Sequence, residues 1–251
     1  MQLGFKIVKR LILTIMQVLS LNGSRIWFDD SLLKTEPERC FDPNYWQQQD
    51  AITGKASGRG TTYFISTPQL PVALRHYWRG GLLGKLVKDQ YFFTGWEKTR
   101  CAEEIKLLQL LAEGGVRVPR PVAARAVRCG LIYRADILTE QVANARDLVA
   151  VLQQRKLSES EWQGIGQLIR KMHNLQVCHT DLNIHNILLD DKGQFWLIDF
   201  DKCYQSKGDK WKQGNLDRLQ RSLIKEVKRF SILWDESEWN WLYNGYIENQ
   251  V

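Results

Sequence analysis

The sequence lacks an apolar run long enough to cross a membrane. Three basic residues interrupt its apolar N-terminus and leave an uncharged apolar stretch of only residues 11–21, whereas a transmembrane helix needs about 20 consecutive apolar residues. Basic residues before an apolar run also imitate a signal peptide, but no small-residue cleavage site follows them. Residues 1–22 are therefore interpreted as a helix on the membrane surface, a helix packed on the domain, or an extension of a chain that starts at Met16.

The sequence also lacks closely spaced cysteines. Its five cysteines are scattered and no two form a C-x-x-C pair, so we expect reduced thiols in a cytosolic protein and not a disulfide framework or a zinc site. His173, His179 and His185 follow one another at six-residue steps, but no H-E-x-x-H motif or cysteine partner accompanies them. This pattern argues against zinc-dependent hydrolysis.

Blocks of basic residues are absent as well, although the formal net charge is +7. Such a charge suits an acidic partner, which could be a nucleotide, a nucleic acid or an anionic membrane surface. A nucleic-acid-binding arm would carry clustered lysine and arginine, so we expect no nucleic-acid partner.

What the sequence does contain is a globular composition, with 44% hydrophobic and 25% charged residues over 251 positions. This length suffices for one domain or two lobes. β-forming residues, a glycine-rich hairpin and one predicted helix precede a linker at about residues 140–145, and helical patterns follow from a capping box at Ser158. We predict a β-rich lobe over residues 23–140, a mainly helical lobe over residues 141–251, and a ligand in the crevice between them.

Two polar motifs follow each other at the distance of a short hairpin. The stretch "HTDLNIHNILL" (residues 179–189) holds Asp181 and Asn186 at the spacing of H-R-D-L-x-x-x-N, and "LIDFDK" (residues 197–202) holds Asp199 where kinases carry D-F-G. Phosphoryl transfer requires that phosphates are held, metal ions are fixed and the acceptor hydroxyl is aimed in line. The order of these parts resembles the protein kinase-like superfamily, although a polar turn remains the alternative for each motif alone.

This resemblance implies an α+β, protein kinase-like two-lobe fold and a role for each residue. Asp181 would accept the proton of the attacking hydroxyl, and Asn186 and Asp199 would bind Mg²⁺ through hard oxygen ligands. Two departures concern regulation. Thr180 replaces the arginine that pairs with a phosphorylated activation loop, and Asp201 replaces the glycine that gives the loop a flexible hinge. We therefore expect neither loop phosphorylation nor loop flipping to control this protein.

Upstream residues supply a nucleotide site. Gly58 and Gly60 of the glycine-rich hairpin would let backbone N–H groups approach the phosphates of ATP. In "VALR", Arg75 stands where V-A-I-K has its phosphate-binding lysine. Arginine binds phosphate with a planar fork and is not equivalent to lysine, so Lys85 and Lys88 are alternatives for this role.

The predicted helix of the β-rich lobe supplies the acid that would orient Arg75. Glu104 precedes "IKLL" much as the αC glutamate of kinases precedes its apolar pair, and it shares a helix face with Leu108 and Leu111. Glu103 as the partner, or a plain solvated charge at Glu104, are the alternatives.

The acceptor is expected to be a small molecule. No A-P-E motif is present and a helical pattern begins soon after Asp201, which leaves no long activation segment to hold a peptide. Four stretches, "ALRHYWRGG", "HTDLNIHNILL", "LIDFDK" and "NLDRLQRSLIK", together resemble the 3-deoxy-D-manno-octulosonic acid (Kdo) kinase family of Gram-negative bacteria. The resemblance covers nearly everything from about residue 23 to the end of the chain.

Membership of that family would imply ATP-dependent phosphorylation of the 4-hydroxyl of Kdo in Kdo–lipid A, at the cytoplasmic face of the inner membrane, with the anionic membrane surface as a further partner. Arg79, Arg218 and Arg221 offer planar contacts to the carboxylate or phosphates of such an acceptor, or are ordinary surface arginines. A heptose or aminoglycoside kinase and a catalytically silent kinase fold remain alternatives, although Asp181, Asn186 and Asp199 are all intact. The sequence leaves the oligomeric state undetermined.

Overall fold

The computed structural model of the chain describes residues 16–58, 60–79 and 88–248. The predictions made for residues 1–15 and for Lys85 lie outside the described residues. The chain forms a mixed α/β structure, in which a large antiparallel sheet precedes a group of helices and short strands. Within the described ranges, no helix combines the length and the apolar character that a bilayer crossing demands.

The first part of the chain is built around one eight-stranded sheet. Its elements are β1 (Gln17–Leu21), β2 (Ser24–Phe28), α1 (Pro43–Gln48), β3 (Ile52–Ser57), β4 (Thr61–Ser66), β5 (Pro71–His76), β6 (Tyr91–Phe92), α2 (Arg100–Glu113), β7 (Pro121–Cys129) and β8 (Ile132–Glu140). The strands pair antiparallel in the order β1-β2-β7-β8-β5-β4-β3, and β6 also pairs with β8. Strand β5 therefore lies between β8 and β4, the strand that follows the glycine-rich hairpin.

Both faces of this sheet are covered. Helix α2 contacts β7 and β8 and buries Leu108 and Leu111 on one face. The segment around α1 covers the other face, where Phe41 and Trp46 are buried in a second apolar cluster. The sheet therefore has a core on each side and holds the residues on β5 in fixed positions.

The first strand changes the interpretation of the N-terminal segment. Residues Gln17–Leu21 pair with β2 along their whole length, so a helix is wrong for this part of residues 1–22. The physical reason is local, because the Asn22-Gly23 dipeptide between the two strands favours a tight hairpin turn. The hairpin satisfies backbone groups that a surface helix would have paired internally.

The second part of the chain is mainly helical. Its elements are β9 (Arg146–Asp147), α3 (Leu148–Leu152), α4 (Glu159–Asn174), β10 (Val177–Cys178), β11 (Ile187–Leu189), β12 (Phe195–Leu197), β13 (Tyr204–Gln205), α5 (Lys210–Phe230) and α6 (Trp239–Ile247). Strands β12, β11 and β9 form a small sheet in that order, and β10 pairs with β13. These short strands hold the polar loop at residues 179–186 between buried elements.

Helix α4 begins as the sequence predicts. Ser158 Oγ accepts a hydrogen bond from the backbone N–H of Glu161 at 3.3 Å, and the Glu161 carboxylate accepts one from the backbone N–H of Ser158 at 2.8 Å. This reciprocal pair confirms the predicted capping box. The helix then buries Trp162, Ile165 and Ile169 in the core.

Helices α4 and α6 approach each other through their backbones. A Cβ atom on Gly166 of α4 would lie 2.0 Å from the carbonyl oxygen of Leu242, and a Cβ on Gly245 of α6 would lie 2.2 Å from the carbonyl oxygen of Gln163. Only glycine allows this separation, because any side chain at either position would collide with main-chain atoms. Helix α6 is thus held against the helix that leads into the polar loop.

Candidate active site

Strand β5 and helix α2 bring a cation and an acid together. Arg75 Nη2 donates hydrogen bonds to both carboxylate oxygens of Glu104, at 2.7 and 2.9 Å, and Tyr77 Oη donates a third to Glu104 Oε2 at 2.6 Å. The Arg75 guanidinium carbon also lies 4.9 Å from the centroid of the Tyr77 ring. Glu104 is only 5% exposed, whereas its neighbour Glu103 faces solvent. Glu104, and not Glu103, is therefore the partner of Arg75.

The electrostatics of this pair favour a fixed positive charge. Burial opposes the charge of Arg75, but Glu104, with smaller contributions from Tyr77, Asp199 and Asp201, more than compensates and holds the pKa of Arg75 above its usual value. Burial raises the pKa of Glu104, and Arg75 opposes that rise. Because desolvating two charges is costly, such a pair is weak evidence for stability and fits better with a role in binding an anion.

Asp199 follows β12 and faces the same arginine. Arg75 Nη1 donates a hydrogen bond to Asp199 Oδ1 at 3.2 Å, and the Asp199 side chain remains 40% exposed. The second oxygen, Oδ2, accepts no hydrogen bond from any described residue. The backbone of Asp199 has φ of +62°, a left-handed conformation that aspartate tolerates better than most residues. The carboxylate is therefore held beside Arg75 with one oxygen available to a ligand.

The loop between β10 and β11 carries Asp181 and Asn186. The side-chain amides of Asn183 and Asn186 both donate to the backbone carbonyl of Asp181, each at 2.9 Å. His179 is completely buried; its Nε2 lies 3.0 Å from the carbonyl oxygen of Ile198, and its Nδ1 lies 3.3 Å from the backbone nitrogen of Asp181. Burial lowers the pKa of His179, which agrees with a neutral ring that donates from Nε2 and accepts at Nδ1. The backbone around Asp181 is thus fixed from three sides.

Helix α5 lies along this loop and contacts it through one face. Asn215 Oδ1 accepts a hydrogen bond from the backbone N–H of His179 at 3.0 Å, and Ser222 Oγ accepts one from Ile184 at 3.1 Å. Between these two contacts, Arg218 Nη1 donates to Asp181 Oδ1 at 3.0 Å. Positions 215, 218 and 222 follow the i, i+3, i+7 spacing of a single helix face.

Two cavities meet at Arg75 and Asp199. The smaller, of about 230 Å³, is lined by the glycine-rich hairpin with Gly58 and Gly60, and by Asp201. The larger, of about 500 Å³, extends between the sheet and the helical part of the chain. Its apolar lining comes from Ala56, Phe64, Ala73, Leu108, Pro119, Val142, Ala145, Leu188 and Ile198. A polar compartment that opens into a more apolar one suits the phosphates and the base of a nucleotide.

Asn186 and Asp199 each have an oxygen atom that is available to a hard cation. Asn186 is buried, its amide nitrogen is bonded to Asp181, and its Oδ1 accepts no hydrogen bond from any described residue. Magnesium usually takes only one or two protein oxygens and completes its shell with phosphate and water. The donor set fits that habit, and no group of three or more His, Cys, Asp or Glu residues in the described chain, at this site or away from it, could hold a metal ion.

Other candidates from the sequence lie away from the two cavities. Arg79 Nε donates to the carbonyl oxygen of Gln90 at 2.5 Å, and its guanidinium covers the Tyr91 ring. Arg221 and Lys88 are exposed, and neither lines a cavity at the site. Of the three arginines considered for the acceptor, only Arg218 contacts a motif residue.

The structure also adds residues that the sequence did not indicate. Arg100, at the start of α2, pairs with Asp201 through two hydrogen bonds. Asp147 and His185 line the larger cavity, 3.9 Å apart at Asp147 Oδ2 and His185 Nδ1. No motif marks Arg100 or Asp147, and the pairings of Asp201 and His185 depend on contacts between elements far apart in the sequence.

These features agree with the comparisons to known proteins. The model of the lipopolysaccharide kinase (Kdo/WaaP) family matches residues 43–246. The chain belongs to this family, which makes it an ATP-using phosphotransferase with an alcohol group as acceptor.

Curated relatives extend the similarity over most of the chain. The chain is 57% identical over 231 residues to the 3-deoxy-D-manno-octulosonic acid kinase of Photobacterium profundum. The aligned region covers 92% of this chain and 98% of that protein. The chain is also 57% identical over 210 residues to the protein of the same name from Vibrio cholerae (84% of this chain and 89% of that protein). The corresponding Vibrio parahaemolyticus protein is 56% identical over 213 residues, or 85% of this chain and 90% of that protein.

Proposed function

We propose that this protein transfers the γ-phosphoryl group of ATP to the 4-hydroxyl of Kdo in Kdo–lipid A, during synthesis of the lipopolysaccharide core. The observation that carries the proposal is the combination of an exposed carboxylate at Asp181, an anion-facing Arg75–Glu104 pair and available oxygens at Asn186 and Asp199. They occur in a chain that is 57% identical to a protein named 3-deoxy-D-manno-octulosonic acid kinase, over 98% of that protein.

In the proposed reaction, the hydroxyl oxygen of the acceptor attacks the γ-phosphorus while Asp181 accepts the hydroxyl proton. ADP leaves with the electrons of the broken P–O bond. The Asp181 side chain is 54% exposed and can meet an acceptor from solvent. Arg75 binds the phosphates through Nη1, the guanidinium nitrogen that faces Asp199. The backbone at Gly58 and Gly60 approaches the phosphates from the hairpin.

Asn186 and Asp199 are the proposed ligands of Mg²⁺. When bound, this ion neutralises charge on the phosphate oxygens and so lowers the barrier to transfer. The protein's own contribution is orientation: Arg75 fixes one Asp199 oxygen, and the carbonyl of Asp181 fixes the Asn186 amide. The free oxygen of each side chain is left for the ion.

We further propose the two-lobe layout of kinases. Residues 23–140 would form the nucleotide-binding lobe together with β1, and residues 141–251 the catalytic and acceptor-binding lobe. The larger cavity takes its lining from both parts, with Ala73 on one side and Leu188 on the other, as expected for a nucleotide held in a cleft between lobes.

An anionic bilayer surface is the proposed second partner, at the cytoplasmic face of the inner membrane. Phe92 and Leu131, which we call the apolar tip, are 77% and 78% exposed and lie together, since the backbone N–H of Phe93 donates to the carbonyl oxygen of Leu131. Arg128 flanks them, with its guanidinium over the Phe93 ring. Exposed aromatic and aliphatic side chains next to a cation are suited to an anionic lipid interface.

The position of the apolar tip fits a lipid-linked acceptor. Tyr91, which precedes Phe92, lies under the guanidinium of Arg100 at 4.7 Å, and Arg100 pairs with Asp201. Tyr91 and Arg100 therefore connect the tip to the segment that borders the phosphate cavity. A membrane in contact with the tip would present its headgroups on this side of the site.

Vesicle sedimentation tests the membrane proposal. The wild type should sediment with vesicles of phosphatidylglycerol and phosphatidylcholine at low salt, and the Phe92→Ser/Leu131→Ser variant should sediment at least tenfold less. Leu233→Ser, which removes an apolar side chain that is 42% exposed in the helical part, is the matched control and should behave as the wild type. Equal sedimentation of wild type and tip variant would reject this surface.

A transfer assay tests the enzymatic proposal. Purified protein with Mg²⁺ and radiolabelled ATP should label Kdo–lipid A, and mass spectrometry with NMR should place the phosphate on the 4-hydroxyl. A heptose-containing core, an aminoglycoside and a generic peptide serve as competing acceptors. Preferential labelling of one of these would assign the protein to another acceptor class, and ATP binding without any transfer would indicate a silent kinase fold.

A further inference from the structure

The pairing of Arg218 with Asp181 has no evident structural purpose. Both side chains are about half exposed, at 48% and 54%, and an ion pair at such exposure contributes little to stability. The neighbouring contacts of α5, from Asn215 and Ser222, hold the backbone of the loop. Among the described residues, the Arg218 side chain instead hydrogen-bonds only to the side chain on which the proposed proton transfer depends.

The guanidinium of Arg218 has unused donors next to that carboxylate. Arginine carries five N–H donors on a planar group, and only Nη1 bonds to a described residue, at Asp181 Oδ1. The other oxygen of Asp181 accepts no hydrogen bond from any described residue. An acceptor hydroxyl on that free oxygen would therefore lie next to an open, positively charged fork.

We propose that Arg218 forms a carboxylate subsite and binds the C1 carboxylate of the acceptor while Asp181 binds its reacting hydroxyl. The inference rests on the proposed function and adds the group that the site recognises. In Kdo a single methylene separates the carbon that bears the carboxylate from the carbon that bears the 4-hydroxyl. A carboxylate and hydroxyl this close together match a guanidinium fork and a carboxylate oxygen that are themselves in hydrogen-bond contact.

The subsite accounts for selection among sugars. A neutral sugar that offered only a hydroxyl would leave the Arg218 fork without an anionic partner, whereas an acidic sugar gains a charge-assisted, two-point contact. Arg218 thereby orients the acceptor as well as binding it, because the fork and Asp181 together define two points of the sugar ring.

A cycle that combines protein and acceptor variants tests this subsite. We would compare kcat/KM for Kdo–lipid A and for its Kdo methyl ester, using the wild type, Arg218→Gln and Arg218→Lys. The wild type should lose about 10- to 100-fold on the ester, as expected for one charge-assisted hydrogen bond. On the acid, Arg218→Gln should lose a similar factor relative to the wild type, and Arg218→Lys should be intermediate. On the ester, the kcat/KM of Arg218→Gln should be close to that of the wild type.

Arg229→Gln is the matched control. Arg229 is exposed on the same helix, about 16 Å further along its axis, and this change should leave both kcat/KM values and the KM for ATP as in the wild type. Equal losses of Arg218→Gln on acid and ester, or no loss on either, would overturn the subsite alone. No transfer by the wild type to Kdo–lipid A would overturn the proposed acceptor itself, and this inference with it.

Discussion

Arg100 and Asp201 form a two-point ion pair between the start of α2 and the D-F-D segment. Arg100 Nε donates to Asp201 Oδ1 at 2.7 Å, and Nη2 donates to Oδ2. The side chains are only 15% and 17% exposed, and the Arg100 guanidinium also lies over the Tyr91 ring. The aspartate that replaces the kinase glycine therefore ties this segment to the helix that carries Glu104.

Breaking this pair should cost stability in a coupled way. Arg100→Gln and Asp201→Asn should each lower the free energy of unfolding by about 1.5–3 kcal/mol, because each leaves a partly buried charge without its partner. The double variant should lose less than the sum, with a coupling energy of about 0.5–3 kcal/mol. Urea unfolding of the four proteins measures this cycle, and additive losses would show that the two side chains do not stabilise each other.

Asp181→Asn should reduce turnover by about 10²–10⁴-fold, since the amide cannot accept the hydroxyl proton. The KM for ATP and the melting temperature should stay near the wild-type values, because Asp181 is exposed and its backbone contacts remain. Steady-state kinetics with the preferred acceptor measure the change. Asp30→Asn, at an exposed aspartate in the sheet part of the chain, is the control. Turnover near that of wild type in Asp181→Asn would remove the residue from the reaction.

The magnesium ligands are tested by two substitutions at Asp199 and one at Asn186. Asp199→Asn keeps a residue that tolerates the left-handed backbone, so its loss of activity would report the missing charge and not strain. Asp199→Ala should abolish transfer and add a folding cost of about 1–2 kcal/mol. Asn186→Ala should raise the Mg²⁺ concentration needed for half-maximal rate. Calorimetry with ATP, with and without a chelator, checks the binding, and indifference to all three changes would reject the metal site.

Arg75→Ala should weaken ATP binding by about 10- to 100-fold, the loss expected for one charged hydrogen bond of about 1.5–3 kcal/mol. Arg75→Lys keeps the charge but loses the fork shared between Glu104 and Asp199, so it should retain part of the activity. Nucleotide titrations of both variants measure the effect, with Lys88→Ala as a control. Unchanged ATP affinity in Arg75→Ala would transfer the phosphate role to Lys85 or Lys88.

His173 should make the protein sensitive to mild acid. Burial lowers the pKa of His173 to about 4, against about 6.5 in the unfolded chain. Between these values the unfolded state binds the proton and the folded state does not, so stability falls by up to about 1.4 kcal/mol per pH unit as the pH drops from about 6.5 to about 4. The contribution is fully present above that window.

Urea unfolding at several pH values measures this dependence. His173→Gln removes the titrating ring and should flatten the slope between pH 6.5 and 4 relative to the wild type, whatever its effect on stability at neutral pH. His179→Gln is the comparison, since burial also lowers the pKa of His179. Parallel pH profiles for the wild type and His173→Gln would contradict the assignment.

The sequence was most informative where a residue's role is set by its near neighbours. The capping box of α4 depends on Ser158 and Glu161 alone, and the structure has it as predicted. The buried face of α2 likewise follows from helical periodicity. The pairing of Arg75 with Glu104 was expected from a strand and a helix that kinases bring together, and the structure has this contact, whereas the catalytic roles remain predictions.

The sequence was least informative where long-range pairing decides the structure. Strand β7 was not predicted, because its buried positions are mostly alanine, a weak β-former, and it starts at a proline. Its place in the sheet comes from pairing with β2 and β8. The contacts of Arg100 with Asp201 and of Arg218 with Asp181 join residues far apart in the chain, so no local pattern could have indicated them.

The close backbone contact of α4 with α6 depends on two residues that have no side-chain functional group. Gly166 and Gly245 carry no functional group, yet each leaves no room for a Cβ atom against main-chain atoms of the opposite helix. These two positions are therefore constrained by side-chain volume alone: the other nineteen amino acids are excluded by their size and not by their polarity or charge. Neither glycine offers a reactive or charged group, although both allow the close packing that positions the helix leading into the Asp181 loop.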